Sequence, residues 1–257
     1  MKRVLTAAVL VPIAVAVALW APRLGFVAAV VLVAALSYRE YSQLVRQHGI
    51  PGLGAAGYAA GLLVLTAPWD GWLMVVLLAA LFLTLAMRSQ ALATVLPRAS
   101  AMLLGVIYIF GGWRSGLALR DLDRWWLLFV WVVNWVGDTA AYYVGRKLGK
   151  RKLSPQLSPA KTWEGAVASC LAALLCGWAY ARVIWPWLAC GPALLAAAVC
   201  NLAGQIGDLA ESALKRGAGV KDSGNLLPGH GGCLDRTDGL LFSMPVVYGL
   251  LRLLGLG

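Results

Sequence analysis

Side chains able to do chemistry are scarce in this chain, and they crowd together. Between Asn201 and Asp238 lie five of its eleven acidic residues: Asp208, Glu211, Asp222, Asp235 and Asp238. Four basic residues, Lys215, Arg216, Lys221 and Arg236, accompany them. Asn201, Gln205, Asp208, Ser212 and Lys215 step by four, three, four and three, which predicts that they share one helix face. A polar stripe on an otherwise apolar helix must face protein or water rather than lipid. Residues 217–232 hold six glycines and one proline, which excludes a regular helix and predicts an ordered loop. Asp235 and Asp238 follow, three apart, on one face as the next helix begins.

Carboxylates, cations and glycines at this density fit polyphosphate chemistry with a divalent cation. Mg²⁺ takes a few carboxylates plus phosphate oxygens rather than a full protein cage. Asp208, Asp235 and Asp238 are the candidate ligands. The alternative for them is structural ion pairing with Lys215, Arg216 or Arg236. Glu211 either supports Asp208 from behind or forms an ordinary salt bridge. Lys215, Arg216, Lys221 and Arg236 are candidate phosphate clamps, or else snorkelling interfacial cations. Gly231 and Gly232 allow backbone N–H groups to approach a phosphate. His230, between glycines, is a candidate donor to phosphate or a hydrogen-bonded surface group. Asp222 is expected to cap or brace the loop.

A second informative stretch runs from Asn134 to Gly165. Asn134, Asp138 and Tyr142 step by four on one helix face. Asp138 falls inside an apolar segment, where a carboxylate costs several kcal/mol unless paired or hydrated, so a Lys, an Arg or a metal-bound group is expected beside it. Arg146–Lys161 is basic, contains two prolines and is expected to be an interfacial loop. Residues 158–165, SPAKTWEG, then open a helix, with Thr162 or Ser158 as its cap and Glu164 in its first turn. Capping leaves Lys161 unexplained, because a cation is disfavoured at a helix N-terminus unless an anion binds there.

The elements that must position these residues are set by composition. Of 257 residues, 61% are hydrophobic and 13% charged, against about 25% charged in soluble chains. The expected fold is an all-α polytopic membrane protein with about nine spans: 4–21, 24–45, 53–68, 71–87, 100–117, 125–146, 162–184, 191–214 and 236–254. Met1-Lys2-Arg3 before an apolar run could open a signal peptide, but the length of that run favours a retained first helix. Of the 22 Lys and Arg, 16 fall on the N-terminal side of this topology, which places the N-terminus and the loops around 147–161 and 216–232 in the cytoplasm. Trp20, Trp69, Trp72, Trp125, Trp126, Trp185 and Trp187 lie at span ends, as interfacial anchors do. The net charge of +11 suits anionic lipid, and no nucleic-acid motif accompanies it. The five cysteines have no metal-binding spacing. Arg39, Glu40 and Tyr41 read as an interfacial ion pair at a span end. The small residues of 51–61 allow close helix packing. No linker divides the chain, so one integral membrane domain is expected, with residues 1–125 as scaffold and 126–257 carrying the chemistry.

One run carries a family resemblance. Ser212-Ala-Leu-Lys215-Arg216, then Lys221-Asp222-Ser-Gly224, then Leu227-Pro228-Gly-His230-Gly231-Gly232-Cys-Leu-Asp235-Arg236-Thr-Asp238 resembles the signature of phosphatidate cytidylyltransferases. Cys233 departs from it, standing where the family usually has an aliphatic residue. Asp138 followed by Ala-Tyr and Gly, and then SPAKTWEG, is similar to the same family, so the resemblance covers about residues 134–239. It implies transfer of CMP from CTP to phosphatidate, giving CDP-diacylglycerol and pyrophosphate, with Mg²⁺ and room for a second cation such as K⁺. Asp208, Asp235, Lys215, Arg216, His230 and Arg236 would be catalytic, with Asp208, Asp235 and Asp238 on the metal. Asp138, Lys161, Thr162, Glu164, Ser212, Lys221, Asp222, Gly231 and Gly232 would bind substrate. A homodimer in the inner (cytoplasmic) membrane is implied, its active site facing the cytoplasm. The competing readings are a CTP-dependent kinase of polyprenol or phytol, and an ion-coupled transporter with a midplane acidic site.

Overall fold

The computed structural model describes residues 2–52, 54–67, 71–87, 91–226 and 231–256. The helices are α1 (Lys2–Trp20), α2 (Arg23–Gln47), α3 (Gly54–Thr66), α4 (Gly71–Ala86), α5 (Val95–Gly105), α6 (Gly112–Leu122), α7 (Arg124–Leu148), α8 (Trp163–Ile184), α9 (Cys190–Gly217) and α10 (Asp238–Leu253). A wide π turn over Val106–Gly111 joins α5 to α6, so the apolar run expected at 100–117 belongs to a longer helical stretch. Among the described residues, five stretches are long and apolar enough to cross a membrane: Arg23–Gln47, Leu92–Leu122, Arg124–Leu148, Trp163–Ile184 and Cys190–Gly217. Shorter apolar helices cover Ala8–Trp20, Gly54–Thr66 and Leu73–Ala86.

The chain forms two compact units. The first comprises residues 1–9, 22–114 and 214–236, and the second 10–21, 115–213 and 237–257. The Gly-rich loop therefore packs with helices that the sequence marks only as scaffold. In the first unit the core is aromatic: Tyr38, Tyr41 and Phe110 are fully buried. Glycines admit them. A Cβ on Gly61 would lie 2.3 Å from the Phe110 ring, and one on Gly57 would meet the Tyr38 hydroxyl. This is the close packing expected of residues 51–61.

In the second unit Asp123 caps α7. One of its oxygens accepts from Trp125 N–H at 3.0 Å and the other from the Trp185 indole at 2.9 Å. Trp185 stacks on Trp126 with ring centroids 3.8 Å apart. Trp126 and Trp185 are buried, so these two are packing residues rather than the interfacial anchors expected, because each finds an aromatic partner inside the fold. Trp20 and Trp187 are exposed. Buried Asn134 donates to the Val130 carbonyl, to Cys200 and to Ser243, tying α7 to α9 and α10.

The basic segment after α7, expected as an interfacial loop, contains regular structure. Strands β1 (Lys152–Ser154) and β2 (Ser158–Thr162) pair antiparallel in a hairpin, Lys152 opposite Thr162 and Ser154 opposite Ser158. Its two prolines mask the strand signal in the sequence. A two-stranded ribbon has only edge strands, the place in a sheet where a proline such as Pro159 is tolerated. Trp163 N–H donates to the Arg151 carbonyl at 2.9 Å and closes the ribbon onto α8.

Candidate active site

The polar stripe of α9 faces protein. In the second unit Asn201 donates to Ser169 on α8 at 2.8 Å, and Gln205 donates to Asn201 at 2.7 Å. One turn on, Asp208 pairs with Lys161 of β2, Oδ2 to Nζ at 2.7 Å, while Ser212 donates weakly to Oδ1 at 3.4 Å. The side chains of Lys161 and Asp208 remain 25% and 40% exposed. Lys161 thus meets an anion beside a helix N-terminus, and that anion is Asp208. Thr162, not Ser158, caps α8, accepting from Gly165 N–H at 3.1 Å. Glu164 accepts from Arg151 N–H at 3.2 and 3.3 Å and so ties the start of β1 to α8. Asp238 opens α10, and its carbonyl would lie 2.7 Å from a Cβ on Gly207, so glycine brings the first turn of α10 against α9 beside Asp208. Glu211 is fully buried. Asp138 and Tyr142 are exposed on α7, and the Tyr142 hydroxyl accepts from Arg146 at 2.9 Å.

The first unit holds the last turn of α9 and the loop after it. Gly219, at φ +73°, ends the helix in the left-handed conformation, with Val220 N–H returning to the Lys215 carbonyl at 2.9 Å. Arg216 donates to the Val220 carbonyl at 3.0 Å. Lys215 reaches Asp235 Oδ1 at 2.6 Å. Asp235 Oδ2 accepts from Gly232 N–H at 2.7 Å, Ser223 N–H at 2.9 Å and the Ser223 hydroxyl at 3.0 Å. Burial, with the side chain 4% exposed, pushes the Asp235 carboxyl up. The Lys215 hydrogen bond, Gly232 N–H, the Lys215 charge and Ser223 N–H outweigh it and hold the carboxyl below the usual carboxylate range. Gly231, at φ +77°, passes so close that a Cβ would lie 2.7 Å from Asp235 Oδ2.

Glu40 completes this arrangement, and sequence reasoning missed its role. It is 5% exposed on α2. The expected interfacial ion pair is replaced by bonds from neutral donors of the loop. Cys233 N–H donates to Oε1 at 2.9 Å, and Leu234 N–H and the Ser223 hydroxyl donate to Oε2 at 2.8 and 3.0 Å. The only signal available was the cost of a carboxylate near an apolar run, which the adjacent Arg39 seemed to answer. Asp222, Lys221, Arg216 and Arg236 are exposed around the loop. A cavity of about 430 Å³ opens between α2 and the loop, lined by Arg39, Glu40, Gln43, Asp222, Ser223 and Asn225 among others. His230 lies outside the described residues.

The structure therefore joins Lys161 to Asp208 in one unit and Lys215, Asp235, Gly231 and Gly232 in the other. Among the described residues, no three His, Cys, Asp or Glu side chains converge as a metal cluster.

Comparison with known proteins identifies the lineage. The chain matches the cytidylyltransferase family over residues 1–254. It is 45% identical over 153 residues to a phosphatidate cytidylyltransferase of Bacillus subtilis, covering 58% of this chain and 57% of that protein. With a phosphatidate cytidylyltransferase of Staphylococcus epidermidis it shares 36% identity over 218 residues, 81% of this chain and 82% of the relative. A Brucella suis protein of the same name is 47% identical over 122 residues, 48% of this chain and 45% of its own. The alignments thus span from about half to about four-fifths of these relatives, while the family match runs almost from end to end: the chain belongs to the cytidylyltransferase family.

Proposed function

We propose that this protein transfers CMP from CTP to phosphatidate in the cytoplasmic membrane of a bacterium, giving CDP-diacylglycerol and pyrophosphate. The observation that carries the reading is the hydrogen-bonded framework that Ser223, Gly232 and Asp235 form within the Gly-rich loop, with basic residues 215, 216, 221 and 236 at and around it, in a chain of this family. A lipid phosphate oxygen attacks the α-phosphorus of CTP, and the bond to the β-phosphate bridging oxygen breaks, its electron pair leaving with pyrophosphate. A phosphate monoester has a second pKa of about 6, so the nucleophile is already largely anionic and needs no strong base. The chain must instead neutralise and align two polyanions that repel each other. Lys221, Arg216 and Arg236 are assigned to phosphates, as is His230, while Gly231 and Gly232 bring the backbone against Asp235 and Glu40.

Mg²⁺ would supply Lewis-acid clamping of the CTP phosphates. Asp208 fits it: its carboxylate is accessible and held by one lysine and one weak hydroxyl bond. Asp238 opens the neighbouring helix and is the second candidate. Asp235 fits less well, since both of its oxygens already serve Lys215 and the loop. It is assigned to holding the loop. Cytoplasmic placement of the N-terminus, nine crossings and a homodimer belong to the same reading; the charge bias supports the placement, and helix length supports crossing by five of the stretches.

Purified protein in detergent with CTP, phosphatidate and Mg²⁺ should form CDP-lipid and pyrophosphate in equal amounts. Asp208→Asn should nearly abolish this and remove any Mg²⁺-dependent rise in unfolding temperature measured with CTP. Release of CDP with a phosphorylated lipid alcohol would overturn the reading in favour of a kinase.

A further inference from the structure

We propose that Glu40 is a positioning residue for the reaction, holding the phosphate-binding loop in its working shape from a helix far away in sequence. The inference rests on the cytidylyltransferase reading above and adds a residue outside the signature. Glu40 is buried on α2 and takes its hydrogen bonds from three donors of one loop, 183 to 194 residues away. Two of them, Cys233 N–H and Leu234 N–H, stand at the start of the short 3₁₀ turn Leu234–Arg236, which carries Asp235 and Arg236. The third, the Ser223 hydroxyl, lies 3.0 Å from both Glu40 Oε2 and Asp235 Oδ2, so the two carboxylates share its single proton.

The surroundings are cut to fit this carboxylate. A Cβ on Gly232 would lie 2.3 Å from Glu40 Oε2, and one on Gly224 would lie 2.7 Å from Oε1. A segment this rich in glycine has little conformational preference of its own. It cannot pre-organise phosphate donors without an outside anchor, and Asp235 anchors it only from within. Glu40 supplies the outside anchor at Ser223 on one limb and at Cys233 and Leu234 on the other. Misplacement by about 1 Å costs up to about a hundred-fold in rate where alignment carries the catalysis.

The test uses the full chain in detergent and compares Glu40→Gln, Glu40→Asp, Ser223→Ala and the Glu40→Gln/Ser223→Ala double variant. Gln keeps the shape but turns an NH₂ toward N–H donors. Per folded molecule, Glu40→Gln should lose about ten- to a hundred-fold in kcat, with Glu40→Asp recovering part of it. The double variant should lose less than the product of the two single losses, because both act through one link. Hydrogen exchange should quicken in peptides covering 221–236 while α7 and α8 stay unchanged. Wild-type kcat per folded molecule in Glu40→Gln, or unchanged exchange of the loop, would overturn the proposal. If Glu40→Gln does not fold, Ser223→Ala decides: it should slow turnover and loosen the loop, and normal values for both would be fatal. A wild-type protein that makes no CDP-lipid would instead refute the reaction on which the inference rests.

Discussion

Asp235 is a carboxylate that the sequence leaves open to two readings, and its hydrogen-bonded neighbours favour one of them. Its spacing from Asp238 suggests a metal ligand, yet four hydrogen bonds engage its two oxygens with Lys215, Ser223 and Gly232. Spacing along the chain could not reveal this, because two of those donors are backbone N–H groups whose direction depends on loop conformation. The Lys161–Asp208 contact was half legible: the sequence demanded an anion near Lys161 but did not name it. A pH dependence follows from the depressed Asp235 carboxyl. A group whose folded pKa lies below its unfolded value of about 3.9 stabilises the fold above that value, and the stabilisation fades as pH falls through the folded value. The unfolding temperature of the wild type in detergent should thus drop below about pH 4. Asp235→Asn, which strips Lys215 of this carboxylate, should be less stable at pH 7 by about 3–5 kcal/mol and should lack Asp235's share of the acid-induced drop. An Asn variant as stable as wild type at pH 7 would show that the pair contributes nothing.

At the scale of elements, the long helices were legible because apolar length is written directly in composition, and each expected segment falls on a helix. The hairpin over residues 152–162 was not, because its strands are short and polar, and their pairing is a relation between residues rather than a property of either strand. That ribbon delivers Lys161 to Asp208 and ends in Thr162, which caps α8. Thr162 also fills the space left by two glycines of the preceding segment: a Cβ on Gly145 or Gly149 would lie 3.0 or 2.7 Å from its hydroxyl. Thr162→Ala should cost about 1 kcal/mol through the lost cap, read as a lower unfolding temperature, and should reduce turnover by disturbing the adjacent Lys161. Thr162→Ser keeps the hydroxyl and should restore both. A Ser variant as impaired as the Ala variant would show that the methyl group, not the cap, matters.

At the scale of the whole molecule, composition points to a membrane protein, and the charge bias predicts its orientation. The two compact units were not legible. Three of their boundaries fall within α1, α6 and α9, where no change of composition marks them, and the other two fall between elements, at 21/22 and 236/237. Orientation can be checked on a cysteine-free background with single cysteines at the exposed positions Gln156 and Asn225. Neither should react with an impermeant thiol reagent added to intact cells, and both should react after permeabilisation. Labelling of both from outside would invert the topology.

The hydrogen bonds of Glu40 also impose a timetable. Its nearest loop partner in sequence lies 183 residues downstream, and at about 5–20 residues per second of synthesis the carboxylate waits roughly 10–40 s for it. Through that interval α2 is already at the membrane with an acidic group that hydrocarbon will not accept, so its C-terminal turns must stay in contact with water. The first unit can close only when residues 214–236 emerge. Any chain shorter than that leaves the Glu40 carboxylate without its donors at Ser223, Cys233 and Leu234.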